Sequence, residues 1–223
     1  MLKWATSIMT KKEIIKKTEE FVKNKMKGDP GHDWSHVNRV RKLALHIGKK
    51  EKVDLFVVEL AALLHDIADY KFNNWDNNLG SKVTENWLNK LKVDKKIIKH
   101  ISYILKEIAF KGAKVKYTMK TLEGKIVQDA DKLDAMGAIG IARTFSYGGH
   151  FSVPMYLPDK KPVMHTSFAQ YKKHSATINH FYEKLLLLKN RMHTKTAKQV
   201  ATRRHKFMEF YLKEFFKEWK FSK

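Results

Sequence analysis

The chain has 223 residues with a formal net charge of +22, and 43% of them are hydrophobic, which is typical of a globular protein rather than a disordered one. Ten glycines and four prolines are too few for the frequent turns of a β-sandwich or barrel, so we expect an all-α protein. The lack of cysteine excludes disulfides, thiolate zinc sites and cysteine nucleophiles. The N-terminal stretch is too short and polar for a secretory signal, and no apolar run could cross a bilayer, so we expect a soluble cytoplasmic protein without a membrane span.

Two helices are predicted before residue 51. The first follows a capping box formed by Thr10 and Glu13, and it ends before the Gly-Asp-Pro sequence at residues 28–30. Apolar residues spaced by three and four then predict a second helix over residues 33–50. His36 lies beside the apolar stripe of that helix.

Three further helices carry clear start signals. Asp54 is the expected N-cap of the third, and His65 falls on its apolar face, so we expect this imidazole to point inward. Ser81 is expected to cap a short fourth helix after a polar loop. Asp94 is the expected cap of the fifth, which should end at Gly112.

The second half of the chain begins with a predicted central helix. Residues 122–147 keep helical spacing despite three glycines, so we expect one long helix there. Residues 148–165 hold three of the four prolines and no periodicity, as in connections that form lids. Two amphipathic helices, at about residues 167–190 and 196–219, complete a predicted single domain, in which the last helix packs on a core of about residues 10–190.

Four ionisable side chains fall on the inward faces of three of these helices. His36 is on the second, His65 and Asp66 are on the third, and Asp131 is on the central helix. An inward carboxylate is costly to bury unless it is paired. Two carboxylates and two imidazoles that meet in one core therefore indicate a divalent cation, and the mixture of nitrogen and oxygen ligands suits Mn, Fe, Co, Ni or Zn better than Ca.

Three sequence blocks surround these residues. They read GHDWSHVNRV at residues 31–40, AALLHDI at residues 61–67 and QDADKLDA at residues 128–135. The order of a His, a His-Asp pair and an Asp resembles that of the HD superfamily of metal-dependent phosphohydrolases, and in particular its small stand-alone bacterial hydrolases. The likeness runs from about Thr10 to the last helix.

This resemblance implies a multi-helix HD-domain bundle that holds a divalent metal ion (Mn, Fe, Co, Ni, Zn or Mg). The ligands that it implies are His36, His65, Asp66 and Asp131. Asp131 is preferred to Asp129 because the family's carboxylate precedes a basic residue and a leucine, as Asp131 does here. The helical phase agrees, since Asp129 points away from the apolar stripe.

The expected reaction is hydrolysis of a phosphoester or phosphoanhydride in a nucleotide or another small phosphorylated metabolite, by a water activated at the metal. Asp66 or Asp134 is the candidate general base, and Asp134 is alternatively a residue that holds a ligand histidine or a water. His32 is either a pocket residue or part of the start of the second helix. Glu107 and Lys111 are candidate substrate contacts.

Two residues and two functions keep alternatives at this stage. Asp69 either supports the site or terminates the third helix, and His100 is either a core histidine, which we favour, or an extra metal ligand. The excess of lysine agrees with solvated helix faces, but also with a polyanion-binding module for nucleic acid or an acidic membrane that keeps a structural metal. The resemblance also covers iron oxygenases, which cleave carbon bonds and usually need two metal ions.

Overall fold

The computed structural model describes residues 9–26, 33–67, 79–108, 118–164 and 176–221. All regular elements within these ranges are helices, which confirms the all-α prediction. They are α1 Lys11–Lys25, α2 Trp34–Glu51, α3 Leu55–Leu64, α4 Leu79–Lys90, α5 Lys95–Glu107, α6 Leu122–Asp134, α7 Gly137–His150, α8 Thr177–Glu183, a 3₁₀ helix Leu185–Arg191, and α9 Lys195–Trp219. None of the described helices has the length and apolar character that a bilayer span requires.

Most helix starts follow the local signals in the sequence. The capping box at Thr10 is present, with the Thr10 hydroxyl accepting from the backbone of Glu13. Aspartate side chains cap α2, α3 and α5 by accepting backbone N–H groups in their first turns, at Asp33, Asp54 and Asp94. These acceptors satisfy N–H groups that have no partner within the helix.

The predicted cap of α4 is wrong. This helix begins at Leu79, and Ser81 is a buried residue within its first turn rather than the residue before it. The fifth helix ends at Glu107, while its expected terminator, Gly112, lies outside the described residues.

The predicted central helix is in fact two helices. α6 ends at Asp134 and α7 begins at Gly137, whose φ of +73° is strained for any residue with a Cβ. A Cβ at Gly140 would clash with the carbonyl oxygen of Ala135, so the chain also turns back closely on itself. The glycines therefore make the turn between two helices instead of being tolerated inside one.

The described part of the predicted helix at residues 167–190 is also interrupted. α8 ends at Glu183, and Lys184 has non-helical backbone angles before the 3₁₀ helix begins. Leu185 and Leu188 are both buried, and their spacing of three places them on one face of a 3₁₀ helix. α9 packs against α2, α6 and α7.

The irregular connection begins at residue 151, because α7 extends to His150. Two side chains of α8 bind it: the Asn179 amide donates to the carbonyl of Lys160 at 2.9 Å, and the Glu183 carboxylate accepts from the N–H of Val163 at 3.0 Å. Its role as a lid stays a prediction.

The core places the predicted ligands near one another. α2 lies against both α3 and α6, and α3 is almost entirely buried. The N-terminal end of α2 thus meets the C-terminal ends of α3 and α6, which are the ends that carry the histidines and aspartates of the three motif blocks.

Candidate metal centre

The candidate ligands lie at helix ends, where the local structure fixes their direction. His36 is in the first turn of α2, and its backbone N–H donates to the capping carboxylate of Asp33 at 2.9 Å. His65 and Asp66 follow the last residue of α3 directly, and Asp131 lies in the last turn of α6.

His36, His65 and Asp131 offer ligand atoms that all lie within 4.8 Å of one another, and Asp66 approaches both histidines. The Nε2 atom of His36 lies 3.2 Å from Nε2 of His65, 3.2 Å from Oδ2 of Asp66 and 3.6 Å from Oδ1 of Asp131. The Nε2 atom of His65 lies 3.4 Å from the same Asp66 oxygen and 4.0 Å from the Asp131 oxygen. Neighbouring ligands that share an ion at about 2.1 Å are separated by about 3–3.5 Å, so most of these distances suit one central cation.

The hydrogen bonds on the far side of each ring set the chemistry of the cluster. Nδ1 of His65 lies 2.8 Å from the carbonyl oxygen of Ala62, and Nδ1 of His36 lies 2.7 Å from Oδ2 of Asp134. Both oxygens only accept, so each Nδ1 carries the proton, and each neutral ring presents a lone pair at Nε2.

Two lone pairs and two carboxylates then face one another, an arrangement that repels itself unless a cation lies between them. Without a metal, a proton on His36 can relieve part of this repulsion. Burial lowers the pKa of His36, but its hydrogen bonds to Asp134 and Asp66 outweigh burial and raise that pKa above its ordinary value. The donor set, two imidazole nitrogens and two carboxylate oxygens, therefore fits a divalent transition metal.

Asp134 supports His36 from behind. Besides the histidine, its Oδ2 accepts from Arg39 Nη2 at 3.0 Å and from Arg143 Nη1 at 3.1 Å, and its Oδ1 accepts from Arg39 Nε at 2.8 Å. Burial raises the pKa of Asp134, but the hydrogen bonds from His36 and Arg39 overcome this and hold that pKa well below its usual range. So acidic a carboxyl is a poor proton acceptor. Of the two predicted roles for Asp134, this geometry favours the support of a ligand histidine over that of a general base.

The cluster is closed on one side and open on the other. The side chains of His36 and His65 are each 1% exposed, whereas those of Asp66 and Asp131 are 17% and 38% exposed. A molecule from solvent can therefore approach on the carboxylate side. Asp66 lies at this opening and stays the better candidate for a general base.

Asp129 is fully buried and has partners outside the cluster. Its carboxylate accepts from the backbone N–H groups of His193 and Thr194 at 2.9 and 2.8 Å, and from the Thr194 hydroxyl at 2.9 Å. It therefore attaches the start of α9 to α6, and Asp131 is the residue of this block that enters the cluster.

Of the predicted substrate contacts, only Glu107 lies among the described residues, and its hydrogen bonds are to residues outside the cluster. Glu107 accepts a hydrogen bond from the Thr118 hydroxyl, and its backbone carbonyl accepts from the Gln128 amide at 3.2 Å. A contact between Glu107 and substrate stays a prediction. His32, Asp69 and Lys111 lie outside the described residues. His100 is not in the cluster; its Nε2 lies 3.9 Å from a carboxylate oxygen of Glu123.

Sequence reasoning missed the roles of two arginines. Arg39 is part of the first motif block, where no role was predicted for it, and Arg143 lies outside all three blocks. The position of Arg39, three residues after His36 on the same face of α2, is a signal that could have found it. Arg143 is nine residues after Asp134, across the turn between α6 and α7, so its contact depends on that turn.

The protein is an all-α protein with a candidate metal centre formed by a histidine, a His-Asp pair and an aspartate, in this order along the chain. Comparisons with known proteins identify the family that has these features. Residues 33–136 match the HD domain. The chain is 38% identical over 189 residues to the uncharacterized protein YpgQ of Bacillus subtilis, with 84% of each chain covered.

Solved structures agree with this match. The crystal structure of an HD-superfamily hydrolase from Bacillus thuringiensis is 43% identical, has a TM-score of 0.74, and is similar over 95% of this chain and 99% of that one. The crystal structure of B. subtilis YpgQ in complex with ADP is 34% identical, with a TM-score of 0.75 and coverage of 94% and 97%. The chain belongs to the HD superfamily of hydrolases and resembles its small bacterial members.

Proposed function

We propose that this protein is a metal-dependent phosphohydrolase that acts on a nucleotide or another small phosphorylated metabolite. The observation that carries the proposal is the convergence of His36, His65, Asp66 and Asp131 into a set of metal-binding atoms with one side open to solvent. A structural site is closed by protein ligands, whereas a catalytic one keeps room for water and substrate.

In this proposal the four residues would hold the metal. A bound divalent ion supplies Lewis acidity toward a phosphoryl oxygen and lowers the pKa of a coordinated water from about 15.7 toward about 7. His36 and His65 would hold it from the buried side, with their protons kept away from the centre by Asp134 and the carbonyl of Ala62. Asp66, at the open side, receives the proton of the attacking water.

The proposed substrate class rests on charge and on a relative. The net charge of +22 favours the approach of an anionic substrate. YpgQ, which this chain matches over nearly its whole length, has been crystallised in complex with ADP. A nucleotide or a similar phosphorylated molecule is therefore the first class to test.

The test begins with elemental analysis of the purified protein. A screen with added Mn, Fe, Co, Ni, Zn or Mg against mono-, di- and triphosphates, cyclic dinucleotides and sugar phosphates should then reveal metal-dependent release of phosphate or pyrophosphate. Asp131→Asn should abolish this activity, whereas Asp129→Asn, a matched change on the same helix, should keep it in the folded fraction.

Three results would contradict the proposal. The first is an Asp131→Asn variant that is as active as the wild type. The second is two bound irons with oxygen uptake in the presence of an organic substrate, which indicates an oxygenase. The third is salt-sensitive nucleic-acid binding that survives Asp131→Ala without any phosphatase activity, which indicates a binding module.

A further inference from the structure

The outer face of α9 combines positive charge with exposed aromatic rings. Its inner face, which includes Ala197, Ala201, Met208 and Leu212, is buried against the protein. The opposite side carries six residues that we call the basic–aromatic face: Arg203, Lys206, Phe207, Phe210, Lys213 and Lys217. Their exposure does not follow from the packing of the helix, because the inner face already supplies the apolar contacts.

The spacing of these residues places them together. Lys206, Phe210, Lys213 and Lys217 are separated by four, three and four residues, so they lie along one line of the helix. Phe207 and Phe210 are 48% and 60% exposed. Large apolar side chains in such a position usually mark a contact surface when they cluster.

The C-terminal end of α9 also carries exposed aromatic side chains. Trp219 and Phe221 are both exposed. Behind them, Trp219 packs against Tyr156 and Phe215, with ring centroids 5.1 and 5.8 Å apart, so an aromatic cluster holds this end of α9 against the protein. With 25 residues, α9 offers a straight surface about 37 Å long.

The positive charge of residues 195–221 limits the kinds of partner that this face can bind. Residues 195–221 contain eight Lys or Arg and three Glu. Two of the three glutamates are paired within the helix, Glu209 with His205 at 3.2 Å and Glu214 with Lys217 at 2.9 Å. Two copies joined through this face would bring like charges together, which opposes a dimer. A partner must therefore be anionic at its surface and also apolar enough to receive phenylalanine.

We infer that the basic–aromatic face docks the protein on an anionic phospholipid surface. Lysine and arginine contact the headgroup phosphates, while Phe207 and Phe210 enter the boundary with the acyl chains, as in helices that lie in the plane of a membrane interface. Duplex nucleic acid offers phosphates too, but its base faces are stacked and give the phenylalanines no apolar partner. This inference does not depend on the proposed hydrolytic function.

Vesicle sedimentation tests whether the basic residues of this face bind anionic lipid. The protein should bind vesicles of phosphatidylcholine mixed with phosphatidylserine, and bind pure phosphatidylcholine weakly. Neutralising three charges on the face (Arg203→Gln, Lys206→Gln, Lys213→Gln) should lower the partition coefficient by about a hundredfold, since each cation near the surface contributes about fivefold. The matched control neutralises three exposed lysines on α5 (Lys95→Gln, Lys96→Gln, Lys99→Gln), and it should bind nearly as well as the wild type.

A label tests insertion. Because the chain has no cysteine, Phe210→Cys provides one position for an environment-sensitive fluorophore, and Lys99→Cys is the control. The label at 210 should shift to shorter wavelength with anionic vesicles and be quenched by brominated lipids, and the label at 99 should not. In unlabelled protein, Phe207→Ser with Phe210→Ser should weaken vesicle binding at least about tenfold.

Four results would overturn the inference. They are equal losses of binding in the α9 and α5 charge variants, an unchanged spectrum at position 210, a dimer in solution that shields that position without lipid, and a response of the label to single-stranded RNA but not to vesicles. All these substitutions are at exposed positions, and circular dichroism should show an intact fold.

Discussion

Asp134 offers the sharpest test of how the candidate metal centre is held. Asp134→Asn keeps the shape of the side chain but replaces one acceptor oxygen by an NH₂ group. That donor then faces N–H donors of His36 and Arg39 at the positions where the carboxylate now accepts at 2.7–3.0 Å. With the NH₂ group at the Oδ2 position, His36 loses the acceptor that keeps its proton on Nδ1. With the amide oxygen there, it keeps only a neutral, weaker acceptor, so in either case the lone pair at Nε2 is less well secured.

The expected magnitudes follow from the surroundings. Loss of a partner that orients a ligand histidine typically lowers metal affinity by about 10–100-fold. Asp134 itself is 2% exposed, but Arg39 and Arg143 are 34% and 20% exposed and regain some hydration when they lose it. We therefore expect the free energy of unfolding to fall by about 2–3 kcal/mol, at or below the lower end of the range for a fully buried ion pair.

Competition with a chromophoric chelator measures the metal affinity, and urea unfolding of the metal-free protein measures the stability. Asp129→Asn is the matched control: it removes a buried charge on the same helix that binds the start of α9 instead of a candidate ligand. It should lose stability and keep metal affinity. Unchanged affinity in Asp134→Asn, or an equal loss in Asp129→Asn, would refute the reasoning.

Three further predictions concern other residues. Asp66→Ala should remove metal content and turnover together while circular dichroism shows an intact helical fold, and persistent activity would contradict its role. Burial, then the charge of Lys132, lowers the pKa of His193 to about 4 from 6.5, so the unfolded chain binds a proton between these values that the folded one does not. The free energy of unfolding should thus decline as pH falls from about 6.5 to 4, by about 1–2 kcal/mol after allowance for partial exposure. His193→Gln should flatten this part of the profile of stability against pH. An unchanged slope in that variant would show that other groups cause the decline. Gly137→Ala should cost about 1–3 kcal/mol in thermal or urea unfolding, because φ is +73° and a Cβ would meet the Arg204 side chain at 3.1 Å, and a neutral effect would mean that the turn relaxes freely.

Much of the local structure could be predicted from the sequence. Thr10, Asp33, Asp54 and Asp94 mark helix starts because an N-cap depends on groups within one turn of the chain. Ser81 shows the limit of that rule, since the same side chain can be buried in a helix when the protein packs around it. The break at Gly137 was missed because periodicity continues across it, and a glycine inside a helix and one that ends a helix look alike in sequence.

The sequence by itself determined the helical class, most of the caps and the choice of four candidate ligands, since motif order and helical phase are written along the chain. Only the tertiary structure decided how those ligands meet and what supports them. The bonds from Asp134 to His36, Arg39 and Arg143 join three helices, and their geometry depends on the packing of α2 on α6 and on the turn at Gly137. Such contacts link residues up to 98 positions apart, a relation that no local pattern encodes.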